Sequence, residues 1–141
     1  MAGATSSIEI NAPIQKVYDV IVDFESYPEF LSETQEVEVV SEDSNMARVT
    51  FTVKVVKKIQ YTLDISFDEP NGISWVLHKG QMMKSNEGGW KLTSKKKNLT
   101  LAEYEVNVGF GPLVPKSIAN QLVGSTLPAM MKAFKERIEE G

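Results

Sequence analysis

Tyr61-Thr62-Leu63-Asp64-Ile65-Ser66-Phe67 is the stretch that decides the fold, because apolar and polar side chains alternate along it without a break. A period of two over this length is the pattern of a β-strand with one face buried and the other wet. The period continues upstream, where Phe51, Val53 and Val55 alternate with Thr50, Thr52 and Lys54. It continues downstream, where Ile73, Trp75 and Leu77 alternate with Ser74 and His78, although Val76 breaks the polar side. Turn-forming runs at Glu42-Asp43-Ser44-Asn45, Glu69-Pro70-Asn71-Gly72 and Asn86-Glu87-Gly88-Gly89 divide the region from Gln35 to Val108 into antiparallel strands. The boundary near Val56-Lys57-Lys58 has neither Gly nor Pro. The apolar phase of Leu99 and Leu101 differs from that of Tyr104, Val106 and Val108, which predicts a bulge or a twist between them.

Outside this region the period lengthens. Ser6–Asn11 reads as a strand; Asn11 then offers an N-cap, Pro13 suits a first helical turn, and Ile14, Val17, Ile21 and Phe24 follow at helical spacing. Asp23–Pro28 ends that helix, since a residue before proline avoids the α region. From Pro115 to Glu139 a stripe of Ala119, Val123, Leu127, Met130, Phe134 and Ile138, widened by Ile118, Leu122 and Met131, predicts a long helix able to cover the one-sided sheet. Pro128 interrupts it, so the helix either kinks there or restarts at Ser125-Thr126. The element order is strand, short helices, about six antiparallel strands, and a long helix.

The chain has 141 residues, which is the size of one domain, here 1–141. It has no cysteine, one histidine (His78) and two arginines (Arg48 and Arg137). A disulfide framework, a thiolate zinc site, a cysteine nucleophile and a histidine-rich metal centre are thereby excluded, and no cofactor or metal is implied. The net charge of −4 conceals segregation: residues 1–43 carry ten acidic groups against Lys16, whereas residues 44–97 carry ten basic groups against four acidic ones. The basic middle supplies a candidate face for an anionic surface, ribosome or membrane, through Lys54, Lys57, Lys58, Lys91, Lys95, Lys96 and Lys97. With so few arginines, sequence-specific nucleic-acid recognition is not expected. The N-terminus has no basic, apolar signal, and no apolar run reaches the ~20 residues that span a bilayer, so a cytoplasmic protein is the expectation. Nothing in the sequence indicates an oligomeric state.

Pro13-Ile14-Gln15-Lys16-Val17-Tyr18-Asp19-Val20, followed by Asp23-Phe24-Glu25-Ser26-Tyr27-Pro28-Glu29-Phe30, Gly89-Trp90 and Leu127-Pro128-Ala129-Met130-Met131-Lys132-Ala133-Phe134-Lys135, resembles the polyketide cyclase/dehydrase and coenzyme Q-binding family of the START-like superfamily. The resemblance extends over nearly the whole chain. It implies an α+β helix-grip fold: a curved antiparallel β-sheet wrapped around a long C-terminal helix, with two short helices after the first strand. It also implies a deep apolar cavity for hydrophobic small molecules such as quinones, lipids or polyketide chains. Some relatives are aromatases or cyclases, and one branch associates with ribosomes.

The inward parity of the strands and the helix stripe nominate Phe51, Tyr61, Leu63, Trp75, Leu77, Trp90, Tyr104, Val106, Leu122, Met130 and Phe134 as the ligand-binding wall; a filled core is the competing reading of the same residues. Tyr27, Pro28 and Phe30 read as a wedge that packs the second short helix onto the sheet, and Met82-Met83 as an apolar lip. His78, Arg48, Glu103 and Glu105 have outward parity, and Tyr61, Tyr104 and Thr126 supply the inward hydroxyls. No catalytic constellation emerges, which favours a carrier or sensor over an aromatase/cyclase, the alternative that needs a titratable group in the cavity.

Overall fold

A computed structural model of the chain describes residues 2–54 and 57–141, without the side chains of Ala2, Leu122 and Ser125. Seven strands form a single curved antiparallel sheet: β1 (Ala2–Ile10), β2 (Thr34–Glu42), β3 (Met46–Lys54), β4 (Lys58–Asp68), β5 (Gly72–Gly80), β6 (Met83–Lys96) and β7 (Leu99–Phe110). Their order is β1-β7-β6-β5-β4-β3-β2, so consecutive strands are hairpin neighbours and β1 closes against the last strand. Helix α1 (Ile14–Ile21) and a 3₁₀ turn (Phe24–Glu29) follow β1, and α2 (Lys116–Asn120) and α3 (Leu127–Glu140) follow β7. The α+β helix-grip architecture read from the sequence is the one observed. Among the described residues no helix is long and apolar enough to cross a membrane.

At Pro128 the chain takes the second of the two courses read from the sequence, a helix that restarts, while three other details differ from that reading, each for a physical reason. The C-terminal helix is not continuous: a π-type turn at Gln121–Ser125 separates α2 from α3, and Pro128 stands in the first turn of α3. A proline there would collide with the Gly124 carbonyl in a regular helix, and the wider turn avoids the collision. Asn11 does not cap α1; its backbone N–H and its Nδ2 donate to Glu139 Oε2 at 2.8 and 3.0 Å, and thus tie β1 to the end of α3. Asn86-Glu87-Gly88-Gly89 is the interior of β6, not a turn. A Cβ at Gly88 would lie 2.1 Å from the Glu105 carbonyl oxygen, and one at Gly89 would lie 2.4 Å from that of Ile73. These glycines let the neighbouring backbones close in rather than reversing the chain. The reversal comes earlier, at Gln81 and Met82, with Met82 at φ 65°.

The bulge predicted near Leu101 is also absent, since β6 and β7 keep one register from Ser85↔Gly109 to Ser94↔Thr100. The inner face continues through Thr100 and Ala102, both fully buried, while Leu99 and Leu101 turn to the other face. Thr100 is tolerated inside because its hydroxyl donates to the Ala12 carbonyl at 2.8 Å. Of the weak β3–β4 boundary, Val55 and Val56 lie outside the described residues.

Candidate ligand cavity

A cavity of about 200 Å³ lies between the concave face of the sheet and the C-terminal helices. Its wall takes inward residues from β3 to β7: Phe51 from β3, Tyr61 and Leu63 from β4, Trp75 from β5, Trp90 from β6, and Tyr104 and Val106 from β7. Val123, Thr126, Leu127, Met130 and Phe134 form the helical side. Phe24, Tyr27 and Leu31 close it from the 3₁₀ turn, and Glu33, Thr34, Val53, Ile59, Met83 and Phe110 ring the end at which it opens.

Aromatic contacts make this wall rigid. Phe51 stacks on Tyr61 at 5.5 Å, and Trp90 meets Tyr104 at 5.1 Å and Phe134 at 5.2 Å. Tyr27 approaches Phe134 edge-on at 5.3 Å, and its hydroxyl donates to the Ile21 carbonyl. The wedge expected of Tyr27 and Phe30 is present, with Phe30 5.1 Å from Phe134, but Tyr27 also faces the cavity. Offset and edge-to-face geometries of this kind are the favourable ones.

The polar groups of the wall are few and differ in their use. Asn86 Oδ1 accepts from Trp75 Nε1 at 3.0 Å, so both are satisfied internally. Neither the Tyr61 nor the Tyr104 hydroxyl has a partner among the described residues. No sealed, unpaired polar side-chain atom exists among those residues, so both hydroxyls are open to the cavity. Burial pushes the Tyr61 phenol up to about 12, and burial, with Tyr61 as a lesser influence, pushes Tyr104 higher still. Both are therefore neutral hydroxyls at ordinary pH, available to a guest as hydrogen-bond donors or acceptors.

Nine of the eleven residues nominated from the sequence line the cavity: Phe51, Tyr61, Leu63, Trp75, Trp90, Tyr104, Val106, Met130 and Phe134. Leu77 does not. The β5–β6 pairing ends at Val76↔Glu87, and Leu77 sits half-buried against the core where the two strands diverge. The side chain of Leu122 lies outside the described residues. Asn86 was concealed by its place in an apparent turn, whereas Val53, Ile65, Ile73 and Val108 share the parity of their nominated neighbours and were legible.

Chemistry-bearing residues elsewhere face outward. Arg48 Nε donates to Asp64 Oδ1 at 2.8 Å on the outer surface, and this bond holds the Asp64 carboxyl below the usual carboxylate range. His78 is exposed, with Nδ1 3.8 Å from Asp64 Oδ2. No cluster of His, Asp or Glu among the described residues is arranged to hold a metal. The lysine-rich face divides in two: Lys54, Lys57 and Lys58 lie at the β3–β4 end, where the cavity opens, and Lys95, Lys96 and Lys97 at the β6–β7 turn of the opposite end.

The profile of the family described as polyketide cyclase / dehydrase and lipid transport matches residues 10–135. No curated protein matches the chain. Among solved structures, a START superfamily protein from Mycobacterium smegmatis aligns with a TM-score of 0.87 at 19% identity, with 99% of each chain covered. The Zhui aromatase/cyclase from a Streptomyces species aligns at 0.73 with 18% identity, covering 96% of this chain and 85% of the other. A STAR-related lipid transfer protein from Xanthomonas axonopodis aligns at 0.78 with 12% identity, again over 96% and 85%. At these identities the likeness is one of fold.

Proposed function

From the premise that the chain belongs to the polyketide cyclase / dehydrase and lipid transport family, we propose that it binds a neutral, hydrophobic small molecule in the cavity between the sheet and the C-terminal helices. The observation that carries this reading is the pair of unpartnered hydroxyls, Tyr61 and Tyr104, in a mostly apolar wall. Hydroxyls left open in an apolar wall are what a guest with a carbonyl or phenol would satisfy. Among the described residues the wall has no lysine or arginine, so an anionic headgroup meets no counter-charge from them.

Size narrows the guest. An apolar cavity of ~150 Å³ admits benzene, so about 200 Å³ suits a compact molecule of one or two rings. A quinone ring or a small polyphenol meets both conditions, while a long polyketide or lipid chain exceeds this volume. Apolar burial at ~25 cal/mol per Å² supplies the affinity, and the tyrosines supply orientation.

An aromatase/cyclase has less to work with. Tyr61 and Tyr104 hold their protons to high pH, and Glu33 at the opening is the lone carboxylate of the described wall. The decisive experiment is organic extraction of the purified protein followed by mass spectrometry, with quenching of Trp75 and Trp90 fluorescence by a ring-size series of quinones and phenols. A co-purifying neutral aromatic, or saturable quenching lost in Tyr61→Phe/Tyr104→Phe, supports the reading. An empty protein that binds no member of the series, nor a fatty acid, overturns it.

A further inference from the structure

The rim of the cavity mouth carries a feature that ligand binding does not require. Leu113, in the loop between β7 and α2, is 94% exposed, the most exposed large apolar side chain described. A free apolar side chain so far into solvent gains nothing for folding. Its loop is held by backbone: Gly111 N–H donates to the Met82 carbonyl at 3.1 Å, and Val114 N–H donates to the Gly111 carbonyl at 3.1 Å. The rim continues as Gln81 N–H donates to the Gln60 carbonyl at 3.0 Å and Lys54 N–H to that of Glu33 at 2.8 Å. Leu113 thus projects from a stitched ring that also contains Met82 and the facing ends of β3 and β4.

Charge is concentrated on the same ring. Lys54, Lys57, Lys58, Lys79, Lys84 and Lys116 are exposed at this end, and none has an ion pair among the described residues. Glu33 and Glu36 are the acidic groups beside them. The far end sets Glu42, Asp43, Asp68, Glu69, Glu139 and Glu140 against Lys95, Lys96 and Lys97, so a chain of net charge −4 keeps its mouth cationic while its acidic groups outnumber those lysines at the base. Such polarity orients the molecule in an external field even though its net charge opposes approach to an anion.

We infer that the mouth docks on an anionic lipid bilayer, with Leu113 inserted at the headgroup boundary and the lysine ring against the phosphates. A nucleic acid would engage the lysines but would give no return for Leu113, whereas a bilayer uses both. The cavity opening is inside this ring, so docking places it on the apolar phase from which a hydrophobic guest partitions. The docking surface stands independently of what the cavity takes.

The test is co-sedimentation of the full chain with vesicles of phosphatidylcholine and phosphatidylglycerol, against phosphatidylcholine alone. Binding is expected to the anionic vesicles, weakening with salt. Lys57→Ala/Lys58→Ala should lower the partition coefficient about five-fold per lysine, roughly 25-fold together, and Leu113→Asp by about ten-fold or more. Lys95→Ala/Lys96→Ala, at the far end, should leave it unchanged, and thermal melting confirms that these exposed-site variants fold. Failure of the unaltered chain to bind anionic vesicles overturns the inference, as does equal weakening by the far-end pair. Binding that Leu113→Asp leaves intact, with equal affinity for single-stranded RNA, also overturns it in favour of a general polyanion surface.

Discussion

The two ends of the sheet are made of similar residues and packed to opposite effect. At the base, Ile10, Val17, Thr100 and Ile138 have no exposed surface, and sheet, α1 and the last turns of α3 touch directly. At the mouth, Tyr61, Met83, Tyr104, Phe110 and Met130 are mostly buried yet keep some accessible surface, because they face a cavity. The inner face of β7 displays the transition, as Thr100 and Ala102 give way to Tyr104. Small side chains let the helix settle, and rings propped on both sides hold it off. The π-type turn keeps the start of α3 from following the line that would close the gap.

Glycine substitutions should break this contrast most visibly. Gly72, at the base, has φ +148°, and a Cβ there would lie 1.9 Å from the Trp90 carbonyl oxygen. Gly72→Ala should cost more than about 4 kcal/mol, or prevent folding, in chemical denaturation. Gly111→Ala, at the mouth, meets nothing within 4 Å and should stay within about 0.5 kcal/mol of the parent. Next comes Phe134, which spans both regions. Its 2% exposure and its contacts with Tyr27, Phe30 and Trp90 make Phe134→Ala a stability lesion of ~3–5 kcal/mol, with any loss of ligand a consequence.

Thr100→Val at the base removes the donor to the Ala12 carbonyl and should cost about 1–3 kcal/mol by the same measurement. Raised pH should act mainly on the mouth. Tyr61 has a folded-state pKa of about 12 against an ordinary 10, so its contribution to stability is whole below pH 10 and is lost as pH rises from 10 through 12. An ultraviolet phenolate titration should show Tyr61 and Tyr104 ionising only as the alkaline transition begins; ionisation near 10 with the fold intact would mean an open, wet cavity. The smallest effect on stability belongs to Tyr104→Phe, within about 0.5 kcal/mol because no internal bond is lost. The same change should weaken a carbonyl-bearing guest by roughly five-fold, read by tryptophan quenching.

Alternation and helical spacing were enough to read seven strands, the short helices and the covering C-terminal stripe, because a buried face imposes its period on the residues that form it. That is also why nine of the nominated wall residues line the cavity. Register and tertiary contact decided the remainder. Asn86 is inside because β6 runs through the glycines, Leu77 is aside because β5 and β6 part beyond Val76, and Asn11 serves Glu139 instead of α1. A period of two records which side a residue faces, but the distance between the sheet and what covers it depends on side-chain volumes from both layers at once. The gap that makes a cavity of this core, and the division of the lysines that sets one group of them beside Leu113, are therefore properties of the assembled chain.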